Sequence, residues 1–373
     1  MKIIYKMILI FVSLLILLIL FTLVFIRQEK FGSVPKGERF ERIKLSKNFK
    51  NGSFQNLSET PDLSEDANYF SVIVEFLFGK SKRSEPKIIL PNQKIDLKGI
   101  NPNENFMVWF GHSSYFMQID GVKILVDPVF SGSASPIYFT TKAYRGADAY
   151  RVSDFPEIDF LLISHDHWDH LDHKTIVELN QKVKKVICGL GVGEHFEKWN
   201  YDLHKIIEKD WWDEIEVNDS FKIALTPARH FSGRAFSRNQ SLWTSFVLKS
   251  KNYSIYVGGD SGYDTHFKEI GKKYGPFNLA MLECGQYNKN WKYIHMMPNE
   301  VVQAAIDLKS EKFMPVHWAK FTLALHDWDE PINEVTKEAA DKNIQPIHPL
   351  IGEKISLDST HISKKWWENL ENN

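Results

Sequence analysis

At 373 residues the chain is long enough for one large domain with appendages or for two modest ones, so a full hydrophobic core can be buried. Its 46 basic and 47 acidic residues leave a net charge of −1, which supplies no whole-molecule pull toward nucleic acid and argues against a dedicated nucleic-acid binder. Two cysteines, Cys188 and Cys284, lie at the ends of apolar runs. They provide neither a disulfide framework nor a paired-cysteine metal knuckle, and buried free thiols are expected.

The first element is a 20-residue stretch without charge, Met7 to Ile26, broken only by Ser13 and Thr22. As a helix it spans about 30 Å, the thickness of a bilayer core. A cleaved signal peptide is the rival reading, but Phe21 to Ile26 is bulky throughout and offers no small-residue cleavage site. Residues 1–27 are therefore expected to form a single-pass membrane anchor. Its orientation stays open, because Lys2 and Lys6 precede the span while Arg27, Lys30 and Lys36 follow it.

Residues 28–100 read as a polar linker and extension, interrupted by Tyr69, Phe70, Val72, Ile73, Phe76, Leu77 and Phe78, whose spacing suits an amphipathic helix. Packing of that helix on the main domain is expected; a surface dipping into lipid is the alternative. The main domain, 101–355, alternates short strands with helices. Strands are predicted at Met107 to Phe110, Tyr115 to Ile119, Val122 to Val126, Phe160 to Ser164, Val183 to Cys188, Phe221 to Thr226, Trp243 to Leu248, Tyr253 to Val257 and Leu279 to Leu282. Helices are predicted at about Lys174 to Asn180, Glu194 to Trp199, Pro298 to Leu308 and Pro331 to Lys342. Residues 356–373 read as a tail.

The strand ending at Ile163 runs into Ser164-His165-Asp166-His167-Trp168-Asp169-His170, which sets three imidazoles and two carboxylates within six residues. Neutral imidazole and carboxylate are the donors that zinc accepts, and a rigid strand end can aim His165 and His167 at one ion and Asp169 and His170 at another. Each ion needs about four ligands, so more must come from downstream. Three apolar strands end in a suitable residue: His230 after Ile223 to Thr226, Asp260 after Ser254 to Val257, and His317 after Phe313 to Val316. Any one alone reads more readily as a hydrogen-bonded polar residue at a strand end. Gly258 and Gly259 permit close backbone approach beside Asp260.

This order, H-x-H-x-D-H followed by His, Asp and His, resembles the metallo-β-lactamase superfamily. Within it, Trp109-Phe-Gly-His-Ser-Ser114, Asp127-Pro-Val-Phe130 with Ser135-Pro136, the segment from Ser164 to Asp172, and Asp210-Trp-Trp212 are similar to the N-acylphosphatidylethanolamine-hydrolysing phospholipase D group and its bacterial relatives. The resemblance covers about residues 101–327. It implies an α/β fold, a four-layer αββα sandwich, here preceded by one transmembrane helix. It also implies two zinc ions, with His165, His167 and His230 at one, Asp169, His170 and His317 at the other, and Asp260 bridging them. Other divalent metals remain chemically admissible. His295 takes the place of a family histidine near the metals, where it either contacts substrate or caps the helix that follows. His112 and Asp172 are implied to orient ligands rather than bind metal.

The implied reaction is zinc-dependent cleavage of a phospholipid phosphodiester by a hydroxide held between the ions, releasing N-acylethanolamine and phosphatidic acid. A lactonase of the same fold is the nearest alternative, since such a hydroxide attacks a carbonyl equally well. A non-catalytic membrane scaffold would be expected to lose ligands that this chain has kept. The remaining histidines, His173, His195, His204, His266, His326, His348 and His361, and the pair Trp211 and Trp212, read as surface or packing residues.

Overall fold

The computed structural model describes residues 2–342, 344–359, 361–368 and 370. Eight helices occur among them: α1 (Lys2–Phe25), α2 (Gly37–Lys44), α3 (Tyr69–Phe78), α4 (His173–Leu179), α5 (Gly193–Lys198), α6 (His266–Lys273), α7 (Pro298–Asp307) and α8 (Glu330–Asp341). A seven-stranded sheet has the spatial order Lys354–Ser356, Phe106–Trp109, Tyr115–Ile119, Val122–Val126, Ile158–Ile163, Val183–Gly189, Ile206–Lys209. A six-stranded sheet has the order Phe313–Val316, Leu279–Glu283, Ser254–Val257, Ser245–Lys249, Phe221–Thr226, Glu214–Asn218.

Strand alternation sorts the side chains into layers. Met107 and Trp109 face Met117, Ile124, Val126 and Leu162 and meet Ile223, Leu225, Phe246 and Val257 of the other sheet. Phe106 and Val108 point the opposite way, packing with Leu161, Ile163 and Val186 under Ile176 and Leu179 of α4 and Phe196 of α5. Val301 and Val302 of α7 with Ile332 and Val335 of α8 cover the second sheet. The result is the four-layer αββα sandwich of the metallo-β-lactamase fold.

Parallel pairing is what positions the site. Val122–Val126, Ile158–Ile163 and Val183–Gly189 run parallel, as do Ser254–Val257, Leu279–Glu283 and Phe313–Val316. The residues that follow Val126, Ile163, Val257 and Val316 are thus delivered to one edge of the sandwich.

Several boundaries differ from the sequence reading. The strand expected from Trp243 begins at Ser245, because the Trp243 indole donates to the Ala228 carbonyl (2.9 Å) and the Thr244 amide to the Ser164 carbonyl (2.9 Å). The edge strands Ile206–Lys209 and Glu214–Asn218, and the charged helices α2 and α6, are short and carry few apolar residues, so they do not stand out in the sequence. Helix α1 begins at Lys2, before the charge-free stretch, since Ile3, Ile4 and Tyr5 continue the apolar surface; none of its residues is buried. By length and composition it can cross a membrane.

The stretch 28–100 is not a free linker. Phe31, Ile43, Phe54, Leu90 and Leu97 are buried, and α2 is clasped to the body through Arg39. Its guanidinium reaches Glu194 (2.6 Å), Glu197 (2.6 Å) and Glu208 (2.8 Å). Helix α3 forms where expected, with an Asn68–Ser71 capping box, yet none of its residues is buried. It packs on the body along one edge, Val72 against Trp291, Ala324 and Leu325 and Phe76 on Trp291, while the rest of its apolar face stays exposed. The tail is likewise anchored, through Trp367, which packs edge-on against Trp318 at 5.4 Å.

Replacing Arg39 with Ala leaves the Glu194 carboxylate, whose side chain is only 4% exposed, with no cation closer than Lys36 at 4.0 Å, and takes one of two guanidinium partners from Glu208, 2% exposed. A loss of about 3 kcal/mol is expected. Arg42→Ala, at the half-exposed partner of the same Glu208, should cost under about 1 kcal/mol. Denaturant midpoints of the two variants check this, and equal losses would contradict the clasp.

Candidate metal centre

At the delivered edge, imidazoles and carboxylates from both sheets converge in the protein interior. His165 Nε2 lies 2.9 Å from His167 Nδ1, and His230 Nε2 lies 3.3 Å from that same nitrogen. These three form one group able to hold an ion. A second group joins Asp169, His170 and His317 with His112. Asp260 stands between the groups. Its Oδ2 is 3.2 Å from His170 Nε2 and 3.8 Å from both His165 Nε2 and His230 Nε2, while its Oδ1 is 3.2 Å from His317 Nδ1. Despite these short distances, His170 Nε2 and Asp260 Oδ1 have no aligned hydrogen-bond partner among the described residues. Donor atoms that converge without satisfying one another are the pattern expected where a cation completes the site.

Local backbone explains the convergence. His112, Asp127 and His317 adopt positive φ of 52°, 39° and 70°, a region costly for non-glycine residues and held here by surrounding structure. Gly259 must lack a side chain, since a Cβ would come within 2.7 Å of the Ser164 Cβ. The glycine pair before Asp260 thus permits the close approach read from the sequence.

Burial and mutual charge set the protonation states. Burial, reinforced by neighbouring imidazoles, holds His165 well below the usual histidine range. Burial also holds His230 and His317 well below it, against the pull of Asp260. His170 goes the other way: burial disfavours its charge, but Asp260, Asp169 and Asp127 outweigh burial and raise it. Asp260 is in turn kept ionised, burial being overcome chiefly by His170 and His317. Neutral imidazoles at His165, His230 and His317 beside the ionised Asp260 are donors suited to a borderline divalent ion, and His170 would give up its proton on binding one.

The other residues singled out from the sequence separate here. His112 Nε2 pairs with Asp169 Oδ2 at 2.8 Å. Asp172 makes no hydrogen bond to any of the seven residues assigned to the ions. It accepts instead from the Ser131 amide (3.0 Å) and the Thr175 hydroxyl, which ties α4 to the 127–131 turn. That is a correction to the expectation of a ligand-orienting role. His295 stands at the rim, its ring 5.1 Å from that of His230 and 5.3 Å from that of His317, with Nδ1 3.3 Å from Glu283 Oε2. Its imidazole faces the site, and the cap of α7 comes from Glu300, which accepts from the Met297 amide (2.8 Å).

Two residues escape the sequence reading. Asp127 accepts from the Ser164 amide (2.8 Å) and hydroxyl (2.6 Å) and pairs with His170 Nδ1 (2.8 Å), fixing which nitrogen His170 presents. Glu283 is buried under His295 and takes the Met296 amide at 3.0 Å. Burial pushes its carboxyl up to about 7. Both end apolar strands, so the rule that finds Asp260 and His317 would find them too, were Leu279–Glu283 not ended one residue early.

A fold of this kind with a buried histidine–aspartate centre defines a class, the metal-dependent hydrolases. The family model described as "Beta-lactamase superfamily domain" matches residues 122–318, more than half of the chain, and the chain belongs to that family. An uncharacterized protein of Mycobacterium tuberculosis is 35% identical over 326 residues, covering 86% of this chain and 87% of its own. The Caenorhabditis elegans N-acyl-phosphatidylethanolamine-hydrolyzing phospholipase D 1 is 29% identical over 332 residues, covering 84% and 90%. Among solved structures, the metallo hydrolase Igni18 of Ignicoccus hospitalis superposes with a TM-score of 0.53 at 20% identity, covering 67% of this chain and 97% of that one. At that identity the likeness shows the fold alone.

Asp127→Asn keeps the shape but weakens the hold on His170 Nδ1. Affinity for zinc, measured by competition with a chromogenic chelator, is expected to fall about 10- to 100-fold. Unchanged affinity would remove Asp127 from the centre.

Proposed function

We propose that this chain is a membrane-anchored, two-zinc phosphodiesterase of the phospholipase D type, cleaving N-acylphosphatidylethanolamine to phosphatidic acid and N-acylethanolamine. The observation that carries the reading is the placement of Asp260 between two groups of donors. His165, His167 and His230 would hold one ion and Asp169, His170 and His317 the other, with Asp260 placed to serve both. The similarity to the nematode enzyme over most of both chains supports the choice of substrate, and the charge-free run of α1 from Met7 onward supports a lipid one. When bound, a pair of zinc ions supplies a water activated at neutral pH and stabilises charge growing on phosphate oxygens.

The chain's own residues carry the rest. A new bond forms between the water oxygen and phosphorus, the bond from phosphorus to the ethanolamine oxygen breaks, and the departing oxygen needs a proton. His295 stands at the rim, where it can deliver that proton. Burial disfavours its charged form, but Glu283 beside Nδ1 outweighs this and raises its pKa, which favours the protonated ring. His112 holds the Asp169 carboxylate in orientation, and Asp127 does the same for His170. The carboxylate of Asp260 balances two dications in a way a neutral amide cannot.

Metal analysis of zinc-supplemented, extensively purified protein should approach two ions per chain; occupancy near zero would end this reading. Asp260→Asn should lower turnover at least about 100-fold. His295→Ala should retain metal yet lower kcat by about 100-fold or more, and unchanged steady-state kinetics would exclude it from the reaction.

A further inference from the structure

Helix α3 is the most exposed apolar element outside α1. Phe70 is 78% exposed, Leu77 68% and Phe78 82%, with Tyr69 and Ile73 on the same face. Soluble surfaces seldom carry so contiguous an apolar patch without something that covers it. The opposite edge is tied down: Phe76 stacks on Trp291 at 5.5 Å, and Glu75 accepts from the Asn290 amide group at 2.7 Å. The helix is thus held in place with its apolar face outward.

Its position relative to the centre gives that face a use. Three residues after Trp291, the carbonyl of Ile294 pairs with His230 Nδ1 at 2.9 Å, and His295 follows. On another side of the centre, Trp168 of the metal loop meets Phe31 at 5.1 Å, and Phe31 meets Phe25, the last residue of α1, at 5.4 Å. Both apolar helices are therefore joined by direct ring contacts to segments that carry site residues. Just past α3, Lys80, Lys82 and Lys87 are exposed and have no ion-pair partner among the described residues. Lysines of this kind are attracted to anionic headgroups.

We infer that α3 is a lipid-docking helix, its Phe70, Leu77 and Phe78 face entering the same bilayer that α1 crosses and pressing the mouth of the metal centre against the membrane surface. This deepens the reading of the chain as a membrane phosphodiesterase and rests on it. The occupant is a bilayer rather than a protein because the patch combines bulky apolar side chains with unpaired lysines and is tied to the site that a lipid headgroup must reach.

The test uses the full chain reconstituted in vesicles of phosphatidylcholine and phosphatidylglycerol, carrying Phe78→Cys labelled with an environment-sensitive fluorophore. Cys188 and Cys284 are buried, so the unsubstituted chain serves as the labelling blank. Asn252→Cys is the control, in the turn that precedes the strand leading to Asp260. The label at 78 should be quenched by lipids spin-labelled on their chains and protected from aqueous iodide, with the reverse at 252. Iodide quenching at 78 as strong as at 252 overturns the proposal. So does protection from both quenchers together with disulfide crosslinking between copies of the unlabelled Phe78→Cys variant, which assigns the face to a second chain.

Replacing Phe70, Leu77 and Phe78 together by Ser should lower the ratio of turnover on bilayer-embedded to short-chain substrate at least about tenfold; an unchanged ratio counts against docking. Failure of the anchor reading is distinguishable, because the chain would then not float with vesicles at all. Failure of the hydrolase reading leaves the quenching result intact.

Discussion

An ionised carboxylate buried between two sheets is the constraint on which the arrangement depends. Asp260 is shielded from water, so its charge is tolerable only if opposing charge or proton donors reach it from every side. The sandwich meets that demand. One sheet sends His165, Asp169 and His170 from the end of Ile158–Ile163, and the other sends His230, Asp260 and His317 from the ends of its own strands. Neither sheet alone assembles a complete set. The inter-sheet core of Met107, Trp109, Leu225, Phe246 and Val257 is thus also what holds the two halves of the centre in register. Left-handed backbone at His112, Asp127 and His317, and a glycine where a Cβ would strike Ser164, show local conformation yielding to that geometry.

The polar interior and the apolar exterior make sense together. A phosphodiester in a lipid headgroup must reach buried donors while its acyl chains remain in hydrocarbon. A fold that places its metal centre at a sandwich edge, with apolar helices joined to that edge, suits such a substrate better than one diffusing freely in water. On the proposed function, helix α1 would raise the effective concentration of substrate, and the outward face of α3 would bear on how the mouth is oriented. The clasp of α2 through Arg39 keeps the segment between them folded on the body, so that the two apolar helices are not on independent tethers.

Much of this is legible in the sequence because strand ends announce themselves. An apolar run terminating in His or Asp is readable without any coordinates, which is how His165, His230, Asp260 and His317 come together, and the order of the motifs points to the sandwich. What escapes notice does so for physical reasons. Asp127 and Glu283 also end apolar strands, but they act through other residues, and the strand-end signal does not tell a carboxylate that holds an imidazole from any other polar strand end. Asp172 sits inside the motif, yet its side chain turns toward Ser131 and Thr175 because it precedes α4. The stretch 28–100 reads as a linker because its buried residues, Phe31, Ile43, Phe54 and Leu90, are single anchors scattered among polar ones, with no period to detect. Helix α3 shows its periodicity plainly, but periodicity reports that a face is apolar and not what covers it.

On the proposed chemistry, water attacks phosphorus in a membrane lipid. That step is tested most directly by incubating the purified, zinc-supplemented full chain with bilayer-embedded N-acylphosphatidylethanolamine in oxygen-18 water and weighing both products. One heavy oxygen in the phosphatidic acid and none in the N-acylethanolamine is the expected result. Heavy oxygen in a released fatty acid, or turnover of lactones with the phospholipid left intact, would contradict it and assign the centre to carbonyl chemistry.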